Sequence, residues 1–168
     1  VARDGIAIVV HPNNPIENLS TDQVRGVFNG EIKNWQMVGG PDKPITVVSR
    51  EAGSGTRSSF EAVLGGIKLT PDAIIQDSNG TVRETVANDE NAIGYLSHGL
   101  LNEKIKAVKV DGVDCTEEAI LAGQYSLVRP VFFLTKEEPT GAVKEFIDYV
   151  LSPEGQKIIT DSGLLPAK

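Results

Sequence analysis

Short apolar runs rich in β-branched residues alternate in this chain with segments whose apolar residues recur at helical spacing. Strands are predicted at residues 5–11, 45–49, 73–76, 92–97, 105–110 and 127–135. Helical segments stand between several of these runs, as they do in β-α-β units. The alternation therefore predicts an α/β fold with a mainly parallel sheet flanked by helices.

Local capping signals place the ends of the helices. Ser20, followed by Gln23 three residues later, predicts a capping box, and Gly30 ends the helix that follows. Near the end of the chain, Ser152 offers an N-cap and Pro153 a favourable first helical residue. Further helices are predicted at residues 56–64, 81–86, 143–151 and 153–159.

The charge of the chain limits its partners. A formal net charge of −7 over 168 residues disfavours a general nucleic-acid or anionic-membrane binder. Residues 1–71 hold seven acidic and seven basic side chains, whereas residues 72–118 hold ten acidic and four basic ones. Any anion site must therefore depend on local donors, and the neutral first part of the chain is the better place for it.

Metal and thiol chemistry receive little support from the sequence. Cys115 is the single cysteine, so we interpret it as a structural residue without a disulfide partner. The two histidines lack metal-ligand spacing, and the acidic stretch 111–118 lacks the EF-hand pattern. We expect no metal and no cofactor.

The most informative segment is a Gly-Ser-Gly-Thr turn between a predicted strand and a predicted helix. The first N–H groups of a helix lack intrahelical acceptors, and its N-terminus carries about half a positive charge. Gly53 and Gly55 allow a close backbone approach, while Ser54 and Thr56 add hydroxyl donors. Arg50, at the end of the strand, can present a guanidinium fork to two oxygens of an anion. The pattern predicts an oxyanion site.

Other interpretations of this turn remain open at the level of sequence. It can be an ordinary tight connection, with Ser58 and Glu61 as a capping box and Arg50 as a solvated charge. A phosphoester-processing enzyme would use Ser54 or Thr56 as its nucleophile, but it needs a general base that the sequence does not offer. The P-loop, dinucleotide and nucleophile-elbow motifs do not match.

A second strand-to-helix turn provides secondary candidates for the same chemistry. Ser78, Asn79 and Gly80 follow a predicted strand and precede a predicted helix, and Gly53 of the first turn belongs to the same secondary group. Asp77 would oppose an anion there unless it is protonated or paired. A capped helix start that faces solvent is the competing interpretation.

Several segments, in order, resemble one known family. Ser49-Arg-Glu-Ala-Gly-Ser-Gly-Thr-Arg-Ser-Ser-Phe-Glu61 is similar to the signature loop of the phosphate-binding receptors of ABC phosphate importers, the PstS family, which have a periplasmic-binding-protein type II-like fold. The segments beginning at Arg3 and Phe28, together with Ala92-Ile-Gly-Tyr95 and Leu151-Ser-Pro-Glu-Gly-Gln156, are similar to that family as well.

The resemblance implies a site, a ligand and partners. Phosphate would be bound by Arg50, Ser54, Gly55 and Thr56, and the receptor would deliver it to the permease of an ABC importer. Some members carry an acid near the loop arginine, whereas this chain has Ala52 at that position, next to Glu51. The resemblance also implies an extracytoplasmic location and a lipoprotein anchor. An oxyanion-sensing or adhesive module on the same fold is the alternative.

The resemblance implies a division of the chain as well. Residues 1–11 would be the first crossover strand, 12–126 the second, ligand-binding lobe, and 127–168 the return crossover strand with the C-terminal helices. The N-terminal part of the first lobe, which in the family supplies further ligands and a carboxylate, would be absent. We expect such a fragment to expose apolar residues around 131–134 and to form homodimers.

Overall fold

The computed structural model describes residues 1–167 as a mixed α/β structure. The strands are β1 (Ala2–Val10), β2 (Asn18–Leu19), β3 (Thr46–Arg50), β4 (Ile74–Gln76), β5 (Ala92–Ser97), β6 (Lys106–Ala107), β7 (Lys109–Val110), β8 (Val128–Val131) and β9 (Leu165–Pro166). The α-helices are α1 (Thr21–Asn29), α2 (Gly55–Val63), α3 (Asn79–Ala87), α4 (Glu117–Leu121), α5 (Gly141–Leu151) and α6 (Pro153–Asp161).

Within residues 1–167, seven strands form the main sheet, in the order β4-β3-β5-β1-β6, with β8 and β9 also paired to β1. Strand β3 runs parallel to β4 and β5, so the carboxyl ends of these three strands lie at one edge. Strand β1 is antiparallel to β5, β6, β8 and β9. The predicted α/β class with helices beside a sheet is confirmed. The predicted parallel pairing is confined to β3 with β4 and β5, in the part of the sheet that carries α2 and α3, because the long strand β1 pairs antiparallel with all four of its partners.

The capping signals predict the helix ends well. Ser20 and Gln23 form a capping box, and Gly30 closes α1 in the left-handed conformation. Ser152 caps α6 by accepting a hydrogen bond from the Gly155 N–H. Short-range polar chemistry thus predicts these boundaries, although Asp111 also accepts hydrogen bonds from the Thr21 N–H and hydroxyl at the start of α1.

Three strand predictions were wrong in extent, and the pairing register gives the reason. The strand predicted at residues 5–11 begins at Ala2, because Ala2 to Gly5 pair with β8. The strand predicted to reach residue 135 ends at Val131, because Val131 pairs with Ala2, the first residue of β1. The segment 105–110 splits in two because Lys106–Ala107 pairs with β1 and Lys109–Val110 pairs with β2. Helix α4 was not predicted from the sequence.

The core joins the sheet to the helices through aromatic rings. Phe60 of α2 stacks on Tyr95 of β5 with a centroid distance of 3.9 Å, and Phe28 of α1 meets Phe60 edge-on at 4.8 Å. A Cβ at Gly94 would lie 2.9 Å from Val82 Cγ1, so α3 can pack against β5 only over a glycine. These contacts hold α2 and α3 at fixed positions relative to the strands before them.

The two ends of the chain lie together beside α6. Gln156 donates from Nε2 to the Val1 carbonyl at 3.1 Å and accepts from the Ala167 N–H at 2.9 Å. Lys168, the last residue of the predicted return segment, lies outside the described residues. No helix in the described part of the chain is both long and apolar enough to cross a membrane.

Candidate anion-binding site

The turn between β3 and α2 forms a helix N-terminus with free donors. Ser54 is the N-cap and accepts a hydrogen bond from the Arg57 N–H at 3.2 Å. The first intrahelical hydrogen bond of α2 runs from the Ser58 N–H to the Ser54 carbonyl at 2.9 Å, so the N–H groups of Gly55 and Thr56 lack intrahelical acceptors and remain available to a ligand. Gly53 has φ +97°, a conformation that a residue with a Cβ adopts only under strain.

The helix starts one residue earlier than the sequence predicted, and its cap is different. The proposed capping box of Ser58 and Glu61 does not form at the helix start, because Ser54 occupies the N-cap and Ser58 lies inside α2. Glu61 instead pairs with Arg57, Oε1 to Nε, at 2.7 Å. The predicted turn residues therefore cap the helix and face the candidate site at the same time.

Arg50 is held at the end of β3 by its neighbour Glu51. Its Nε and Nη2 donate to the two carboxylate oxygens of Glu51 at 2.8 and 2.9 Å, and its side chain is 11% exposed. These hydrogen bonds lower the pKa of Glu51 and raise that of Arg50. In residues 1–167, no acceptor receives a hydrogen bond from Arg50 Nη1. Glu51 thus orients the arginine while leaving one nitrogen free for an anion.

Tyr95 is a supporting residue whose role the sequence analysis missed. Its hydroxyl lies 2.8 Å from Ser49 Oγ and accepts a weaker hydrogen bond from the Arg50 N–H at 3.3 Å. Burial raises the pKa of its phenol, so the hydroxyl stays protonated at neutral pH. The signal that could have identified it is a tyrosine, with its polar hydroxyl, inside the apolar run Ala92-Ile-Gly-Tyr95, all of which is buried in β5.

The second turn reaches the same edge of the sheet. Ser78 caps α3 by accepting from the Thr81 N–H at 3.1 Å, and Asp77 Oδ1 accepts from Thr81 Oγ1 at 3.0 Å. The Asp77 carbonyl lies 3.5 Å from Arg50 Nη2, at the limit of a hydrogen bond. The structure thus brings the secondary candidates Ser78, Asn79 and Gly80 next to the first turn, with the Ser78 hydroxyl already engaged in capping.

The hydroxyl groups of the first turn have no catalytic partner among the described residues. Ser54 and Thr56 are buried, and no hydrogen bond joins either hydroxyl to a carboxylate or imidazole there. Residues 1–167 also contain no cluster of three or more His, Cys, Asp or Glu side chains that could hold a metal ion. The arrangement can donate hydrogen bonds to an anion.

Fold and candidate site together indicate a class: an α/β domain with a candidate anion site at a helix N-terminus, beside the carboxyl ends of parallel strands. A family model described as a PBP superfamily domain matches residues 1–154. The chain is 38% identical over 169 residues, 99% of its length, to the phosphate-binding protein PstS of Bacillus subtilis.

Two solved structures are similar to this chain in both fold and sequence. A Clostridium perfringens chain, described as a phosphate ABC transporter substrate-binding protein with bound phosphate, has 43% identity and a TM-score of 0.86 over 99% of this chain. An ABC-type phosphate transport receptor from Vibrio cholerae has 36% identity and a TM-score of 0.90 over 98% of it. The chain therefore belongs to the PBP superfamily and, within it, to the PstS family of phosphate-binding proteins.

The match covers only part of these relatives. The chain spans 56% of the length of the Bacillus subtilis protein and 70% of each of the two solved chains.

Proposed function

We propose that this chain is the ligand-binding part of a phosphate receptor that serves an ABC importer. Phosphate would accept hydrogen bonds from the N–H groups of Gly55 and Thr56, from the hydroxyls of Ser54 and Thr56, and from the guanidinium of Arg50. The observation that supports this most strongly is Arg50, oriented by Glu51 beside the open N-terminus of α2. The bound phosphate named for the Clostridium perfringens relative is consistent with it.

The proposed role is binding without turnover. The site offers donors, and the Ser54 oxygen already accepts the Arg57 N–H. A nucleophile would need a base in reach, and the described residues supply none by hydrogen bonding. The names of the relatives, which are those of transport receptors and binding proteins, support the same role.

The division into lobes remains a proposal. Residues 12–126 would form the ligand-binding lobe, and 1–11 and 127–168 the crossover and C-terminal segments. Strands β1 and β8 pair along Ala2 to Gly5, as two adjacent crossovers would. Helix α5 has no buried residue, and Leu134 is 94% exposed. We propose that the remainder of the first lobe covers the exposed apolar residues of α5 and the segment around Leu134.

The same family assignment supports an extracytoplasmic location, with a lipoprotein anchor in the full-length protein. Closure of two lobes over the ligand would strengthen binding by excluding water. The chain by itself should therefore bind phosphate weakly, with the Arg50 loop as the main contact.

The test is the affinity of the chain for inorganic phosphate, measured by titration calorimetry or by NMR where binding is weak. Arg50→Gln removes a charge-assisted contact worth about 1.5 to 3 kcal/mol, which corresponds to about a ten- to hundredfold loss of affinity. Arg25→Gln is the matched control, because Arg25 lies on α1 and pairs with Asp22. Equal affinity of wild type and Arg50→Gln would rule out the proposed site.

A further inference from the structure

A second arginine lies against the same helix N-terminus. Arg129 is on β8 and pairs in register with Asp4 of β1. Its Nε and Nη2 lie 2.9 and 2.8 Å from Asp4 Oδ2, while Asp4 Oδ1 accepts a hydrogen bond from Ser97 Oγ at 2.6 Å. Asp4 is 1% exposed, so this carboxylate is fully committed to holding the arginine and the serine.

The third nitrogen of this guanidinium, Nη1, lies beside the start of α2. A Cβ placed on Gly55 would lie 3.4 Å from Arg129 Nη1, so this nitrogen is next to the first residue of α2. Strand β8 packs against α2. In the described chain, no acceptor receives a hydrogen bond from Arg129 Nη1. The Arg129 side chain is 23% exposed, so it is partly buried beside the turn.

The positive groups at this turn favour a bound anion. The N-terminus of α2 already carries about half a positive charge, and a cation is normally favoured at the opposite end of a helix. Arg50 adds a second cation at the same turn. Asp4 pairs with Nε and Nη2 of Arg129 through one oxygen, whereas Glu51 pairs with Nε and Nη2 of Arg50 through both. Within residues 1–167, neither Nη1 donates a hydrogen bond.

We infer that Arg129 is a further binding residue of the oxyanion site, contacting the ligand through Nη1, and that Asp4 is its positioning residue. This inference rests on the proposed function. It makes the paired strands β1 and β8 part of the ligand site. It also gives a role to the Asp4–Arg129 pair, which lies at one register position of the β1–β8 pairing.

Two substitutions at Arg129 test the inference through phosphate affinity. Arg129→Gln should weaken phosphate binding about tenfold, because it removes a charged donor, and Arg129→Lys should recover part of the loss by keeping the charge. Arg25→Gln, on α1, should change the affinity by less than about twofold. The melting temperature of each variant is measured alongside.

A spectroscopic readout separates ligand contact from a structural role. The side-chain 15N signals of Arg129 in the wild type should shift when inorganic phosphate is added, together with the Gly55 amide. This measurement does not depend on whether any variant folds. Unmoved Arg129 signals, or unchanged affinity in Arg129→Gln, would overturn the inference even where the melting temperature falls.

The outcome at Arg50 tells the two proposals apart. If Arg50→Gln weakens binding and Arg129→Gln does not, the phosphate site stands and the role of Arg129 is refuted. If wild type shows no phosphate-dependent change at either arginine, both proposals fail. Losses at both arginines, with Arg129→Lys intermediate, support both.

Discussion

At the scale of single residues, the candidate site depends on carboxylates that orient arginines. Glu51 places a negative charge beside a site proposed to bind an anion, which by itself would weaken binding. Its two hydrogen bonds to Arg50 fix the guanidinium at the strand end, and a fixed donor loses less entropy when the ligand binds. We expect orientation to outweigh repulsion, because the Glu51 charge is already balanced by Arg50.

Glu51→Gln tests which of these effects is larger. We expect phosphate affinity to fall about fivefold, about 1 kcal/mol, because a neutral amide accepts only one of the two arginine hydrogen bonds. Glu84→Gln is the control, since Glu84 pairs with Lys104 on the surface. Tighter binding by Glu51→Gln would mean that the carboxylate acts only by repulsion.

The pH dependence of the Arg50–Glu51 pair follows from the same contact. Arg50 lowers the pKa of Glu51 in the folded protein, so the pair is fully formed above the ordinary glutamate pKa. It should persist as the pH falls just below that value and break only at lower pH. A carboxyl titration followed by NMR should therefore give Glu51 a lower midpoint than exposed glutamates, and an ordinary midpoint would contradict the contact.

At the scale of elements, the site is a strand-to-helix unit fixed by an aromatic anchor. Phe60 holds α2 against Tyr95, and the Tyr95 hydroxyl holds the end of β3 through Ser49 and Arg50. One side chain of β5 therefore positions both halves of the turn. The rings contribute burial, and the hydroxyl satisfies polar atoms that would otherwise be left in the core.

Tyr95→Phe isolates the contribution of that hydroxyl. Loss of a buried hydrogen bond should lower the free energy of unfolding by about 1 to 3 kcal/mol, because Ser49 is buried and loses its partner. Tyr149→Phe is the control at an exposed position of α5 and should change stability by less than about 0.5 kcal/mol. Urea unfolding measures both, and equal effects would show that the hydroxyl does not anchor β3.

Sequence reasoning succeeded where local chemistry decides the structure. The caps at Ser20 and Ser152 and the turn at Gly53 follow from short-range hydrogen bonding and backbone conformation. Sequence reasoning failed where the extent of a strand depends on partner strands that are distant in sequence. The end of β8 depends on where β1 begins, and the division of 105–110 depends on two different partner strands.

The candidate site divides in the same way. Arg50 and residues 53–56 were predictable because they are neighbours in sequence and form one turn. Tyr95 lies 45 positions from Arg50, and Arg129 lies 74 positions from Gly55, so no local pattern encodes the roles of these two residues. The ion pair between Arg50 and Glu51 could not be predicted, because neighbours in a strand normally point to opposite faces of the sheet and their side-chain orientations are not fixed by sequence.

At the scale of the whole molecule, exposed apolar side chains follow the end of β8 and continue onto α5. Phe132 is 69% exposed, and Phe133 contacts Phe146 of α5 with a centroid distance of 5.5 Å. Exposed apolar clusters of this kind usually mark a surface that another segment or chain covers. In the proposed receptor that segment belongs to the first lobe.

The chain of 168 residues should self-associate through this surface as its concentration rises, as predicted from the sequence. Replacing both Phe132 and Leu134 with Ser should shift sedimentation toward the monomer, because these side chains lie beyond the end of β8 and pair with no strand. Met37→Ser, at another exposed apolar position, is the control and should leave association unchanged. A wild-type chain that remains monomeric at all concentrations would contradict this prediction.

The central claim is that the N-terminus of α2 binds phosphate together with Arg50. Backbone amide NMR during a titration with inorganic phosphate tests it most directly, because each donor reports separately. We predict that the amides of Ser54, Gly55 and Thr56 shift first and furthest, with one shared saturation curve. Shifts confined to other regions, or none at millimolar phosphate, would contradict the account.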